Sequence, residues 1–305
     1  MSAANVYTTA QLVTNVQLLA HLPLGNSTFT SPEIISLADR EIKTSIMKQV
    51  LSVREGYYLT YTDYTADSTA EYAIPPLAIA GAVANIEVVQ DQSVIQVGRV
   101  DESEQANTET PSSTSYGYFI RGNTIKVLPS SILGTIRVWY FRRPNTLVAT
   151  SAAARVTSIA SNVITVSSLP TTITIGEDVD ACQDQPTFEM LGTRNVSNIV
   201  GTDVTLDAVV DDLAVGDWLA LSNQTPVPQI PVEFRPLLEQ RVVVKIYELQ
   251  GYLDKMKAAQ AKLTELEADI LSLISPRTQS QTKVISPSVG GVLSGGRRWR
   301  VFPTR

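Results

Sequence analysis

From Leu249 onward the apolar residues advance as Leu249, Tyr252, Met256, Ala259, Leu263, Leu266, Ile270 and Leu273. Alternating three- and four-residue steps make a heptad seam, a period that a helix satisfies and a strand does not. The spacing predicts a long amphipathic helix that opens after the proline-rich linker Thr225–Pro231 and closes at Ser275-Pro276-Arg277. Continuous from Val232 to Ile274, it would reach roughly 65 Å at about 1.5 Å per residue. That exceeds a compact domain's radius, so a protruding or interface helix is expected, with Leu249, Tyr252, Met256, Leu263, Leu266 and Ile270 packing against other copies of the chain. Gly251 is where a kink or a break is expected. The run Val242-Val243-Val244 is a poor intrinsic helix former and needs support from the rest of the fold.

Beyond Pro276 the chemistry changes. Residues 276–305 carry Arg277, Lys283, Arg297, Arg298, Arg300 and Arg305 and no acidic residue. The net charge of −6 therefore conceals a tail of +6 and a body of −12, with eighteen basic against thirty acidic residues. Such a tail is drawn to acidic protein or nucleic acid, both of which the body repels. Its glycines confer flexibility, its arginines fork onto carboxylates or phosphates, and its aromatics are interface anchors. A docking peptide using Arg297, Arg298, Trp299, Arg300 and Phe302 is expected; the bland alternative is a terminus with incidental charge.

Signals for catalysis are missing. With one cysteine, Cys182, and one histidine, His21, the chain can form neither an intrachain disulfide nor a zinc site built from Cys and His. No nucleophile elbow or phosphate loop is present, and Ser45-Ile46-Met47-Lys48 matches S-x-x-K inside a predicted helix without its companion motifs. Asp207, Asp211, Asp212 and Asp217 lack EF-hand spacing. No enzyme activity, catalytic residue, cofactor or metal is expected. The most apolar stretch, Ala73–Ile86, is too short for a bilayer and contains Pro75-Pro76, so no membrane partner is expected.

The remaining segments alternate in kind. Helices are predicted from Thr8 to about Leu22, with His21 capping its last turn, and from an N-cap at Ser31 to near Gly56, with Ile34, Ala38, Ile42, Ile46 and Val50 inward. Strands follow at Tyr57–Thr62, Gln92–Val100, Tyr116–Ile120, Thr124–Leu128 and Thr135–Phe141, with a hairpin turn at Gly122-Asn123 and a short helix expected at Leu77–Asn85. From Ala152 to Ser222 ten acidic residues face only Arg155 and Arg194 amid Val, Ile and Thr, and Val156, Ile159, Thr165 and Gly176 recur forty residues later as Val196, Ile199, Thr205 and Gly216. Two similar β units, halves of a small barrel or sandwich, are expected. The fold class is thus α+β: N-terminal and long C-terminal helices forming a helical core, a small β region, an inserted all-β domain with an internal repeat, and an extended tail. The boundaries fall at 1–151, 152–224, 225–275 and 276–305.

This order of segments resembles the head-to-tail adaptor (connector) proteins of tailed bacteriophages. The resemblance is carried by the two N-terminal helices, Pro75–Gly81, Tyr140-Phe141-Arg142-Arg143-Pro144 before a Val/Thr-rich insertion, Pro228–Phe234 opening a long helix and Ser275-Pro276-Arg277 closing it. It implies a structural virion protein of the neck, assembled in the host bacterial cytoplasm. A homo-oligomeric ring of twelve copies beneath the portal protein would join it to tail nozzle, tail or fibre proteins, and DNA would pass through the channel without sequence-specific binding. It also implies a portal-directed peptide within Lys283–Arg305. A tail or fibre attachment module built on the β insertion is the alternative.

Overall fold

Thr30 and Glu33 close a capping box: the Thr30 amide and hydroxyl both donate to Glu33 Oε2, at 2.7 and 2.8 Å. The N-cap is therefore Thr30, one residue before the expected Ser31, and Pro32 falls in the first turn, where no amide is missed. This computed structural model describes residues 7–22, 29–67, 69–90, 93–104, 116–184 and 190–274, and its architecture is mixed α and β.

Among the described residues, five α-helices form the bundle: α1 Thr9–Leu19, α2 Ser31–Glu41, α3 Met47–Val53, α4 Arg235–Gln250 and α5 Leu253–Ile274. A π turn at Ile42–Ile46 joins α2 to α3 and keeps Ile34, Ala38, Ile42, Ile46 and Val50 buried along one side. His21 ends α1 through its backbone, at φ 50° with its amide donating to Leu18 O, so no charge-based capping is needed.

The C-terminal arm is not one rod. Gly251 adopts φ 72°, ψ 18°, a left-handed C-cap that glycine takes without a Cβ clash, and the chain folds back. Gln240 Nε2 donates to Ala259 O at 2.9 Å and Arg241 pairs with Glu267, which fastens α5 along α4. The heptad seam thus closes inside the chain. Ala259, Leu263 and Ile270 are buried in the helical core, with Met256 and Leu266 packed against it. Within one chain this part of the seam is already covered: a heptad specifies a stripe, not whose helix covers it, and Val242, Val243 and Val244 are buried in the same core. Of the seam residues whose side chains are described, Leu249 and Tyr252 stay outside, 65% and 51% exposed at the hairpin tip. Gly251→Ala is expected to cost about 1–2 kcal/mol, the penalty of a left-handed residue bearing a Cβ, measured by urea unfolding; no change would show that the turn readily relaxes.

The strands are β1 Leu59–Thr65, β2 Glu71–Ala73, β3 Ala78–Gln90, β4 Ser93–Gln96, β5 Gly98–Arg99, β6 Gly117–Arg121, β7 Thr124–Leu128, β8 Thr135–Arg142, β9 Thr146–Leu147, β10 Ala154–Ala160, β11 Val163–Val166, β12 Asp178–Cys182, β13 Met190–Val200, β14 Asp203–Leu206, β15 Trp218–Leu221 and β16 Gln224–Thr225. Two four-stranded sheets, β1-β8-β3-β4 and β2-β7-β6-β5, share a core that includes Ile86, Val88, Ile125, Val127, Ile136 and Val138. The helix expected at Leu77–Asn85 is instead the first part of β3. Its alanines favour a helix locally, but pairing with β8 wins, and Ala80 and Gly81 take positive φ where the register shifts.

Strands β10-β11-β14-β13-β12-β15 close a barrel over Val156, Ile164, Val196, Val204, Leu206 and Leu219. Its irregularities recur forty residues apart. Bulges fall at Val156/Ser158 and Val196/Asn198, while the Val156 amide donates to Asp217 O and the Val196 amide to Glu177 O. The third strand of each stretch pairs with the first strand of the other, β12 with β13 and β15 with β10.

The proline-rich linker packs into the body. β16 lies parallel to β9, the Thr9 amide donates to Pro226 O at 2.8 Å, and Thr225, Val227 and Ile230 are buried. Prolines suit this place because few amides there could find partners.

Candidate functional site

The most organised polar cluster joins barrel to body. Asp180 lies on β12 directly opposite Ala220 on β15, and none of its surface is exposed. Its Oδ2 accepts from Asn145 Nδ2 at 2.7 Å and from the Asn223 amide at 2.8 Å, and its Oδ1 from the Thr193 hydroxyl at 2.7 Å. Arg142, at the end of β8, stands 3.7 Å away and also donates to Asn145 Oδ1 at 2.9 Å. The Asn145 amide donates to Gln229 Oε1, and the Tyr58 hydroxyl donates to the Gln229 carbonyl. One carboxylate thereby ties the barrel to the sheet, the helix bundle and the proline segment. Burial pushes the Arg142 guanidinium down, and the facing Asp180 opposes it. A fully bonded buried network of this kind fixes geometry rather than performing chemistry.

A second set of polar contacts orders the bundle. Glu239 Oε1 accepts from the Tyr7 hydroxyl at 2.6 Å and from Asn15 Nδ2 at 2.7 Å, pinning α1 to α4. Burial raises the Tyr7 phenol above its ordinary range, with Glu239 adding to it, and burial raises that of Tyr58. Unfolded tyrosine titrates near about 10, so the stability these phenols lend is complete below that pH and is lost as pH rises toward their folded values. Alkaline unfolding curves of a Tyr7→Phe, Tyr58→Phe double variant are expected to be flatter above pH 10 than those of the parent.

A cleft of about 430 Å³ between α2 and the α4–α5 hairpin is lined by Glu41, Arg241, Lys245, Met256, Leu263 and Glu267 among others. Its charges pair internally, with Arg241 between Glu41, at 3.6 Å, and Glu267.

The groups that chemistry would need are scattered. His21 is exposed beyond α1, Lys48 is exposed on α3, and Ser45 sits in the π turn. Cys182 is buried, with its thiol pushed up to about 12 by burial and by nearby Asp180. Asp217 accepts the Asp184 and Ala214 amides, a structural use of its carboxylate. Among the described residues no group of three or more His, Cys, Asp or Glu side chains could hold a metal ion. No helix among them is long and apolar enough to cross a membrane. The predicted docking residues Arg297, Arg298, Trp299, Arg300 and Phe302 lie outside the described residues.

One surface went unnoticed in the sequence. The outer side of sheet β1-β8-β3-β4 carries Leu59 and Tyr61 opposite Phe141 and Trp139. The Tyr61 and Trp139 rings stand 4.9 Å apart, and Arg137 lies 4.0 Å above the Tyr61 ring. Asp63 holds Arg137 by two bonds of 2.8 and 2.9 Å, and Trp139 Nε1 donates to Glu87 Oε2 at 2.8 Å. The alternation of Leu59-Thr60-Tyr61-Thr62-Asp63-Tyr64-Thr65 was the available signal, but a period of two does not say which face stays open.

No family model matches this sequence, and no curated protein matches it either.

Proposed function

We propose that this chain is a structural, non-enzymatic subunit of a tailed-phage neck: a head-to-tail adaptor that forms a ring beneath the portal and leaves a channel for DNA. The charge division carries the reading. A body of −12 suits a wall along which DNA slides without adhering, and a +6 segment follows directly from the end of α5. The buried Asn145–Asp180–Gln229 network supports it as well, because a rigidly oriented barrel serves a scaffold better than a hinged one. Residues 152–224 are then an inserted domain of two copies of one unit, turned outward or tailward toward fibre or nozzle proteins. The bulges and amide bonds that recur forty residues apart favour this duplication. Segments 1–151 and 225–275 make the core, and 276–305 the docking segment.

Deleting residues 287–305 is expected to leave a protein with unchanged circular dichroism that no longer co-purifies with portal. Normal joining of the truncated chain to portal would remove the docking role from Arg297, Arg298, Trp299, Arg300 and Phe302.

A further inference from the structure

A closed ring needs two different, complementary patches on each copy, because a cyclic contact is head-to-tail. Resting on the ring reading above, we propose that the tip of the α4–α5 hairpin of one copy seats on the open outer face of sheet β1-β8-β3-β4 of the next. The tip presents Leu249, Tyr252 and Leu253, each more than half exposed. The sheet face presents Leu59, Tyr61, Trp139 and Phe141, with Arg137 and Trp139 held in place by Asp63 and Glu87. Aromatic side chains whose orientation is already locked lose little freedom on binding, the quality expected of an interface anchor.

Two further observations select a second copy as the occupant. The first is placement. Glu41 meets Arg241 at 3.6 Å, and Gln49 donates to Glu267 at 3.3 Å. Glu267 lies about 21 Å along α5 from the tip, at about 1.5 Å per residue. Tyr58, which delivers the chain to β1, donates its hydroxyl to the Gln229 carbonyl just before α4, at the end of α4 away from the tip. Tip and sheet face sit at opposite ends, where one copy's tip can reach the next copy's face. The second is charge. With Lys245 paired to Glu248, the tip offers exposed Lys255 and Lys257 against Asp254, while the face offers Asp63 and Glu87 against Arg137. An excess cation meets an excess carboxylate, which favours this contact over tip-to-tip or face-to-face pairing.

The test uses cysteines in the full chain, where native Cys182 is buried and leaves introduced thiols as the reporters. Tyr61→Cys and Tyr252→Cys are made singly and together and oxidised under assembling conditions, alone and with portal present. The double variant is expected to give a ladder of covalent multimers and an equal mixture of the singles only a covalent dimer, while each single alone stays unlinked. Tyr252→Asp is expected to weaken assembly by roughly tenfold or more, the scale of a lost interface aromatic, with unchanged circular dichroism. Self-linking of either single variant, or an unlinked double variant inside particles of ring mass, would overturn the contact while leaving the ring intact. If the parent chain forms no ring-mass particle, alone or with portal, the ring reading fails, and this contact with it.

Discussion

Asp180→Ala is expected to destabilise the protein by about 3–5 kcal/mol, the cost of removing one partner from a buried ion pair. Three donors would lose this acceptor at once: the Asn223 amide, the Thr193 hydroxyl and Asn145 Nδ2, which would keep its bond to Gln224 O. Arg142, nearly enclosed, would also lose the carboxylate 3.7 Å away. Alanine brings no steric problem, since Ala220 occupies the facing position on β15. The loss would therefore report polar satisfaction alone. Asp180→Asn keeps one of the two acceptor oxygens, loses the charge and sets an NH2 group against the donors of the other, so it should spare only part of the alanine loss. Urea unfolding measured on the barrel and body signals together checks both. A loss under about 1 kcal/mol, the worth of one ordinary hydrogen bond, would mean that the network does not hold the barrel in place.

The barrel itself provides the other large expectation. Strand β12 pairs with β13, and β15 with β10, so each half completes the other's sheet. A fragment of residues 152–184 would keep the β10–β11 hairpin and leave β12 with neither of its neighbours. A lone hairpin is marginal in water, and thirty-odd residues bury too little surface to compensate. The half fragment is expected to be unfolded by circular dichroism, whereas residues 152–224 give a cooperative β spectrum and a melting transition. A folded, monomeric half would show that the interleaved pairing is dispensable.

Local signals were legible where local physics decides. Gly122-Asn123 announced the β6–β7 turn. Three consecutive valines at 242–244 called for packing, and all three are buried. The misreadings arose where distant partners decide. Ala78–Asn85 has helical composition, but the β8 edge recruits it into a thirteen-residue strand. The prolines at 226–231 read as a linker in sequence and lie in the interior because β9 and α1 come to them. The seam at Met256, Leu263, Leu266 and Ile270 has a period independent of which helix fills it. Of the candidate surfaces, the sheet face at Tyr61 and Trp139 needs knowledge of strand order, which no short window of sequence holds.

Gly251 also determines where the cationic segment is tethered. An unbroken helix would have carried its attachment point to the outer end of a long spoke. The left-handed turn instead brings Ile274 back to the base of the bundle, beyond Glu267 and its Gln49 partner. A chain covers at most about 3.3–3.6 Å per residue, so every contact made by residues 275–305 falls within about 110 Å of that base. One backbone angle thus sets the centre of the volume that bounds residues 275–305, and a straightened turn would move that volume along the bundle without altering a single charge.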